Sequence, residues 1–374
     1  MPLVYLFFIF SSLCAFVLSK DKVLKCSRKP FLFGLFTILV CIMGLRSEYV
    51  GADSVQYYLS FNELNQMSLQ NALMTRYAAG YVLFVRFIGI FTDSPYCFFF
   101  IVSFTTLVIY FRFFHKYSAN IFFSIIVFFS LYWTDFLVLT RQACASCLVC
   151  LGIPFLLDDR KKIYALFVLG AMLFHESAII ALSFIPLFKL KMTARKIVVC
   201  LLCAIFCAEF FLPLLWKLIT LLNVGVYAAY VNSKYNSAGT SVFVDLLIKV
   251  FPSLLCLIYG YRSTSQGRTK EQNFFLSLNL IGLCFIIIGM KTLILQRLGM
   301  YFNVGSVIAC SYLFFSKGKK NISKQTLAWG LIVFSIAIFS IIQIERPTWM
   351  RISPYSPFWA PFNAYGVDAI QYFW

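Results

Sequence analysis

Charged residues are scarce in this chain, and acidic ones are the scarcest. Of the 374 residues only 12% are charged, with 14 Asp and Glu against 32 Lys and Arg, whereas 61% are hydrophobic and 44 are Phe. Soluble domains carry about 25% charged and about 45–50% apolar residues. A soluble fold of this size could not bury so much apolar surface. The sequence therefore predicts an all-α integral membrane protein.

The motifs that would identify a nucleotide-dependent enzyme or a metal site are missing. There are only two His, and the chain contains no Gly-rich phosphate loop, D-x-D motif, G-x-S-x-G elbow or Cys/His zinc spacing. The pair His175-Glu176 is not part of H-E-x-x-H, because residue 179 is Ile. We expect no metal and no other cofactor. The net charge of +18 is ascribed to loops that face anionic lipid, so no nucleic-acid partner is expected.

Nearly all of the 13 cysteines lie within apolar runs. Cys144, Cys147 and Cys150 form a C-x-x-C-x-x-C series, which a metal or redox site could also use. Spacing of i, i+3, i+6 among Ala, Leu and Val is more typical of a small-residue face that packs against a neighbouring helix. We predict the packing face and no disulfide.

Long apolar runs predict about twelve transmembrane helices, since each span needs roughly 20 apolar residues. No run resembles a cleavable signal peptide or a soluble domain, so we predict a single polytopic membrane domain over residues 1–374. A turn is expected at His175-Glu176, which divides one apolar stretch into two short runs. The runs lie near 2–19, 31–45, 96–111, 120–138, 141–157, 163–175, 177–188, 197–216, 242–260, 273–291, 297–315 and 327–344.

Lys and Arg collect in every second gap between these runs, which predicts the topology. Those gaps hold 21 of the 32 cations and are cytoplasmic by the positive-inside rule, which leaves both termini outside. Seven of the other 11 cations are Arg, an excess that favours bidentate recognition of phosphate or carboxylate. The long outer segments are 46–95, 217–241 and the tail 345–374. Within the first, an interfacial or re-entrant helix is expected near 77–91.

The first candidate site follows the second run, over R-S-E-Y-V-G-A-D-S-V-Q-Y-Y. Gly51 permits a tight turn before Asp53. Asp53 is interpreted either as a base or sugar ligand, or as the N-cap of a short helix 54–65. Arg46 is interpreted as an anion ligand, with a snorkelling end-anchor as the alternative.

Two further candidates are polar groups inside apolar sequence. Burial of the Arg141 charge among apolar residues costs free energy unless the side chain faces a polar cavity or forms an ion pair with Asp135. Both interpretations, a functional site and a structural ion pair, remain open. His175 is a site candidate because histidine titrates near neutral pH. The alternative is a hydrogen-bonded core histidine that shapes the turn between two helices.

The last candidate is Q-R-L-G-M-Y over residues 296–301. Gly299 would allow a close backbone approach. Arg297, Tyr301 and Arg141 are expected to converge on one outer-facing cavity, with an interfacial anchor pair of Arg and Tyr as the alternative.

The order of these motifs resembles that of the EpsG/Wzy-type polysaccharide polymerases of bacterial inner membranes, over nearly the whole chain. The middle position of G-A-D is more often Thr in that family, and Ala52 lacks the hydroxyl but leaves the Asp. The elements are R-x4-G-x-D-x3-Y-Y from Arg46, T-R-Q from Thr140, A-x2-F-H-E-S-A from Ala171, Q-R-x-G-x-Y from Gln296, and Pro354-Tyr355.

The resemblance implies a multi-pass inner-membrane polymerase for O-antigen, capsule or exopolysaccharide. Its substrates would be undecaprenyl-pyrophosphate-linked oligosaccharides at the periplasmic face. The growing glycan would leave its lipid pyrophosphate for a hydroxyl of a new lipid-linked unit. That step needs cations at the departing pyrophosphate and a base near the hydroxyl. Membrane lipids, and a polysaccharide chain-length regulator as a candidate protein, would be the other partners.

Roles in that reaction follow from the resemblance. The catalytic residues expected are Arg141 and Arg297 at the pyrophosphate, with Asp53 and His175 as candidate bases. The substrate-binding residues expected are Arg46, Arg86, Tyr57, Tyr58, Gln142, Gln296 and Tyr301.

Two other functions remain open from the sequence. A lipid-linked oligosaccharide flippase would also have about twelve helices and many cations, but it is expected to have cytoplasmic termini and cations along a central cavity. A periplasmic-face acyltransferase would centre on His175-Glu176. That class usually pairs its catalytic His with a basic cytoplasmic face, whereas this His lies on the outer side in our threading.

Overall fold

The structure is a computed structural model of the chain. It describes residues 28–222, 249–262, 268–291, 293–315, 350–364 and 366, with eight single positions between 326 and 341. The regular elements in these ranges are all helical, as predicted. The chain divides into two compact units, Met1–Ile179 with Ile332–Trp374, and Ile180–Leu331. One polytopic domain over the whole chain stays a prediction.

The helices of the first unit follow the predicted apolar runs, with three more in the outer segment 46–95. The predicted interfacial segment near 77–91 is a helix, α4, and its relation to the membrane stays a prediction. The helices are α1 (Arg28–Gly44), α2 (Ser54–Gln66), α3 (Leu69–Leu73), α4 (Ala79–Gly89), α5 (Pro95–Tyr117), α6 (Ile121–Leu131), α7 (Trp133–Val138), α8 (Thr140–Leu157) and α9 (Lys161–Met172).

The packing of α8 on α5 uses the cysteine face predicted from the sequence. The Cys147 thiol lies 3.6 Å from the Thr106 hydroxyl. One residue earlier, the Ser146 hydroxyl lies 2.7 Å from that of Tyr110. The three cysteines of the series are free thiols. The prediction of a packing face is therefore confirmed.

Several predicted spans are interrupted in the structure. The run 120–138 is not one helix: it breaks at Tyr132, which lies between α6 and α7 with φ −130°. The run 177–188 begins as a 3-10 helix, Glu176–Ser183, and becomes α10 only at Phe184–Phe188. The turn predicted at His175-Glu176 is confirmed, because α9 ends at Met172. Apolar composition does not reveal such breaks, since the segments on both sides of each break remain largely apolar.

The second unit contains a long apolar rod, Ala194–Leu218, and a closely packed helix pair, α14 and α16. The predicted run 297–315 is likewise three elements, α15, a 3-10 turn and α16. The elements are α11 (Ala194–Phe206), a π-helical turn (Cys207–Phe211), α12 (Leu212–Leu221), α13 (Phe251–Arg262), α14 (Lys270–Gly289), α15 (Leu293–Leu298), a 3-10 turn (Gly299–Phe302) and α16 (Asn303–Phe315).

Helices α14 and α16 cross closely because glycine stands at the contacts. A Cβ on Gly305 would lie 2.3 Å from the Leu278 Cβ. The structure also joins Cys256 of α13 to Cys310 of α16 by a disulfide, with Cα atoms 5.4 Å apart. The expectation of no disulfide is wrong at this pair. The two cysteines are 54 residues apart, and their sequence carries no signal of their proximity.

The described helices include four that are long and apolar enough to span a membrane: α5, α8, the rod Ala194–Leu218 and α14. Only 17% of the most apolar window of that rod is buried by protein. An apolar surface exposed to this extent fits a lipid environment. The predicted first span, 2–19, lies outside the described residues, as do most of the last, 327–344, and of the loop 217–241.

Candidate functional site

A polar cluster forms where α2 begins, and Asp53 stands at its edge. Helix α2 starts at Ser54, so Asp53 occupies the N-cap position predicted for it. Its side chain makes no capping hydrogen bond. The carboxylate instead acts electrostatically on Tyr57, one turn along the helix. The N-cap prediction is confirmed for the position, and the carboxylate is not used as a cap.

Tyr57 connects Asp53 to Arg141. The Arg141 side chain interacts with the Tyr57 hydroxyl through charge and a side-chain hydrogen bond. Burial raises the pKa of Tyr57, Arg141 opposes that rise and Asp53 adds to it. Tyr57 is therefore a neutral phenol at physiological pH, with a cation and an anion close to it.

Aromatic rings and hydroxyls complete the surroundings of Arg141. Its guanidinium carbon lies 5.2 Å from the centre of the Tyr77 ring. The Tyr81 ring is 5.5 Å from Tyr77 and 6.2 Å from Tyr57, and its hydroxyl is 3.2 Å from that of Ser60. The Arg141 contacts in the described part of the chain are thus with tyrosines, which favours the polar-cavity reading over an ion pair with Asp135.

The position of Arg141 on its helix is electrostatically unfavourable by itself. It is the second residue of α8, and a helix N-terminus carries partial positive charge. Its Nε atom is buried without a hydrogen-bond partner in the described structure. A cation placed against a positive helix end, among neutral phenols, is stabilised by an anionic ligand. The cluster therefore has the chemistry of an anion site with a carboxylate nearby.

Arg46 is held inside the protein rather than facing the cluster. Only 2% of its surface is exposed. Its guanidinium donates to the carbonyls of Met43 and Leu137 and reaches the Ser54 hydroxyl at 3.4 Å. Those carbonyls belong to the C-terminal ends of α1 and α7, where positive charge is favourable. These contacts favour a positioning role next to Asp53 over the predicted contact with substrate.

Arg86 also binds a helix end. Its Nη1 donates to the carbonyls of Leu64 and Met67, both at 2.7 Å, where α2 terminates. This contact fixes α4 against α2. The geometry favours support of the helix that carries Tyr57 over direct binding of substrate.

His175 lies in the turn after α9, against the start of α4. The Leu173 carbonyl accepts from the Tyr81 amide at 3.2 Å. The His175 Nδ1 atom lies 2.6 Å from the Ser177 hydroxyl. The turn is thus attached to the helix that carries Tyr81. These contacts suit the turn-shaping role of His175, and its role as a base stays a prediction.

The other substrate-binding predictions in the first unit fall into two environments. Tyr58 turns away from Tyr57 and packs on Tyr96, with ring centres 5.4 Å apart. Tyr96 in turn donates to Glu48 at 2.8 Å. Gln142 is buried beside Arg141 on the first turn of α8. Their contacts with substrate stay predictions.

The last candidate motif belongs to the second unit. Arg297 is exposed near the end of α15, whereas Tyr301 is buried in the 3-10 turn that follows. Close approach occurs at Gly289, where a Cβ would lie 2.6 Å from the Gln296 Cβ, rather than at Gly299, where the nearest atom is 3.5 Å away. The convergence of Arg297 and Tyr301 with Arg141 stays a prediction.

The sequence analysis missed a cavity beside the cluster. Its volume is about 330 Å³, and it is lined by Gln56, Leu59, Ser60, Glu63, Thr75, Arg76 and Tyr77. Gln56, Ser60 and Glu63 are spaced i, i+4, i+7 on α2, a polar helical face that the sequence does display. Residues 75–77 come from the turn before α4, and no local pattern links them to α2.

The fold and the cluster together define a helical membrane protein with a polar cluster of arginine, tyrosine and aspartate between the starts of α2 and α8. The chain matches the model of the EpsG family over residues 29–356, which is most of its length. It therefore belongs to the EpsG family, a family of Wzy-type polysaccharide polymerases. Neither a curated protein nor a solved structure matches the chain.

Proposed function

We propose that this protein polymerises lipid-linked repeat units at the periplasmic face of the bacterial inner membrane. The substrates are oligosaccharides on undecaprenyl pyrophosphate. The observation that supports this most is the placement of Arg141 among Tyr57, Tyr77 and Tyr81, with Asp53 nearby. Among the described residues, the cluster supplies a cation with no ion-pair partner and a carboxylate that makes no capping hydrogen bond.

The reaction breaks the bond between the anomeric carbon of the growing glycan and its pyrophosphate. A hydroxyl oxygen of the incoming unit forms the new bond to that carbon, and its proton passes to Asp53. Arg141 stabilises the charge that develops on the departing lipid pyrophosphate. Because an arginine can neutralise that charge, the proposal includes no metal.

The remaining residues have supporting roles in this proposal. Tyr57 holds Arg141 and Asp53 at a fixed spacing, while Arg46 and Arg86 position the two ends of α2. His175 is the second candidate for the base. Gln142, Gln296, Arg297, Tyr58 and Tyr301 are proposed to contact glycan or pyrophosphate, with Arg297 as the second cation.

The substitution Arg141→Lys tests the anion role. Lys keeps the charge but cannot reproduce a two-pronged contact to pyrophosphate. Loss of one such contact in a water-poor site costs roughly 3 kcal/mol, or about a hundredfold in rate. We expect polymer to fall to about 1% at equal protein level, measured by gel analysis of glycan chain length.

Arg112→Lys is the matched control, because Arg112 is exposed on the far half of α5. It should polymerise normally. In the absence of the protein, single repeat units should accumulate on the lipid carrier or its acceptor. Loss of all outer-face units would instead indicate a flippase, and normal chain length in Arg141→Lys would remove the pyrophosphate role.

A further inference from the structure

The cavity beside the cluster has a lining that suits an uncharged, hydroxyl-rich ligand. Gln56 offers an amide and Thr75 a hydroxyl that also donates to the Ala72 carbonyl at 2.7 Å, and the Tyr77 hydroxyl accepts from the Gln56 amide at 3.4 Å. Glu63 adds a carboxylate that makes no hydrogen bond or ion pair within the described residues. Carboxylates and amides are strong partners for neighbouring hydroxyls. Such a set matches sugar hydroxyls.

The charges of the lining disfavour the lipid pyrophosphate as the occupant. Glu63 and Arg76 contribute opposite charges, so the cavity as a whole carries no cationic excess. Arg76 is also engaged, with its guanidinium carbon 5.5 Å from the Tyr77 ring centre. A pyrophosphate would be repelled by Glu63 and has Arg141 available instead. The cavity is therefore a place for the glycan part of a substrate.

Helix α2 carries both the proposed base, Asp53, at its start and the cavity-lining residues farther along. Asp53 stands at the N-cap position of the helix, and Gln56, Ser60 and Glu63 follow it along the same helix. At 1.5 Å rise per residue, Glu63 lies about 15 Å beyond Asp53 along the axis. A glycan with its reactive hydroxyl at Asp53 would therefore place its next sugars along the cavity. The repeat unit that brings a hydroxyl to the base is the acceptor. The pyrophosphate of this acceptor unit is attached at the end of the glycan opposite to the reacting hydroxyl.

We propose that this cavity binds the acceptor repeat unit, with Glu63 and Gln56 as residues that select its sugars. The proposal rests on the function proposed above. The amide of Gln56 and the carboxylate of Glu63 bind hydroxyls of the sugars that follow the reacting one. Glu63 touches no reacting atom, so it affects acceptor affinity rather than the chemical step.

The test measures binding by the full-length protein in lipid nanodiscs. The probe is the repeat-unit oligosaccharide that mild acid releases from the cells' own lipid-linked pool, observed by saturation-transfer NMR. Glu63→Gln and Gln56→Ala should each weaken binding about tenfold, the effect of one lost hydrogen bond to a charged or amide group. Glu63→Asp should recover part of the affinity.

Matched controls are Asp93→Asn and Gln70→Ala, whose side chains are exposed and do not line the cavity. Both should bind as the wild type does. In a membrane assay, Glu63→Gln should raise the KM for acceptor units and leave kcat within about twofold, which a merely structural residue would not do.

Three outcomes decide the matter. Weaker binding in both cavity variants with intact controls supports the subsite. Unchanged binding in both variants, or no binding of the oligosaccharide by the wild type, overturns it. Arg141→Lys separates the two proposals, since it should keep binding the neutral oligosaccharide while making no polymer. A normal polymer from Arg141→Lys would refute the pyrophosphate role of Arg141, and loss of all outer-face units without the protein would refute the proposed polymerase, whatever the cavity variants do.

Discussion

Arginines that look equivalent in the sequence have different surroundings in the structure. Arg46 reaches two helix ends and lies 4.4 Å above the Phe99 ring, whereas Arg141 meets only phenols in the described structure. Burial lowers the pKa of Arg46 to about 10, with the neighbouring Tyr355 opposing that change. The guanidinium therefore stays charged at neutral pH. The buried guanidinium of Arg46 can remain charged because carbonyl and hydroxyl oxygens accept its hydrogen bonds.

We expect Arg46→Lys to lower stability rather than to weaken catalysis in the folded protein. Lys cannot donate to the Leu137 carbonyl, the Ser54 hydroxyl and the Met43 carbonyl at once. Losing charge-assisted hydrogen bonds costs about 1.5–3 kcal/mol each. The measurement is thermal unfolding in detergent followed by tryptophan fluorescence, with Arg112→Lys as the control. Full stability combined with loss of polymer would return Arg46 to a direct role at the substrate.

Asp53→Asn separates the base from the cap. Asn caps helices about as well as Asp, and the Asp53 side chain makes no capping hydrogen bond in any case. The variant should therefore reach normal protein levels. Loss of the proton acceptor should reduce polymer by about a hundredfold or more, within the range of general-base catalysis. Chain-length analysis is the measurement, and normal polymer would transfer the base assignment to His175.

At the scale of helices and turns, features set by neighbouring residues could be predicted from the sequence, and contacts between distant residues could not. The N-cap at Asp53, the turn at His175 and the cysteine face of α8 each depend on residues a few positions apart. The disulfide from Cys256 and the cavity wall at Tyr77 depend on residues that meet only after folding. Asp53, Tyr57 and Arg141 are each candidates from the sequence, and the structure brings them together, which no local pattern predicts. The carbonyl partners of Arg46 and Arg86 likewise became visible only in the structure.

The connection between α1 and α2 shows how a distant segment fixes the site. The Gly51 amide donates to the Arg351 carbonyl at 2.9 Å, and the Ser47 amide donates to that of Ser356 at 2.9 Å. Phe358 donates back to Leu45 at 3.0 Å. The described part of the tail thereby pairs with the loop that precedes Asp53. Its Pro-Tyr motif belongs to the same scaffold.

Gly51→Ala should disturb this connection. Gly51 has φ +102°, and an added Cβ would lie 2.5 Å from the Ser54 Oγ and 2.6 Å from the Leu137 Cδ2. Strain of this kind costs about 1–3 kcal/mol, so we expect a lower unfolding temperature and less polymer. Gly34→Ala is the control: nothing lies within 4 Å of its Cβ position, and Ala favours a helix. Equal stability of the two variants would contradict the strained geometry.

For the whole molecule, the distribution of apolar surface agrees with a membrane protein of the EpsG family. The rod Ala194–Leu218 exposes large side chains such as Leu202, Phe206 and Phe210. On the tail, Trp359 and Phe362 are exposed, as suits aromatic residues at a membrane interface. Lipid would cover both surfaces.

The orientation is a prediction from charge alone, and reporter fusions test it. An enzyme active only outside the cytoplasm should be active when fused after Trp374 and silent when fused near Lys320. Both positions lie outside the described residues, so the fusions probe what the cation pattern predicts. A fusion after Asp93, in the same predicted outer segment as Asp53, should match the one at Trp374. A reporter active only in the cytoplasm should give the inverse pattern at equal protein level. If the fusions at Trp374 and Asp93 both indicate a cytoplasmic position, Asp53 and Arg141 would face the cytoplasm. A polymerase that acts on periplasmic substrates could not then use these two residues.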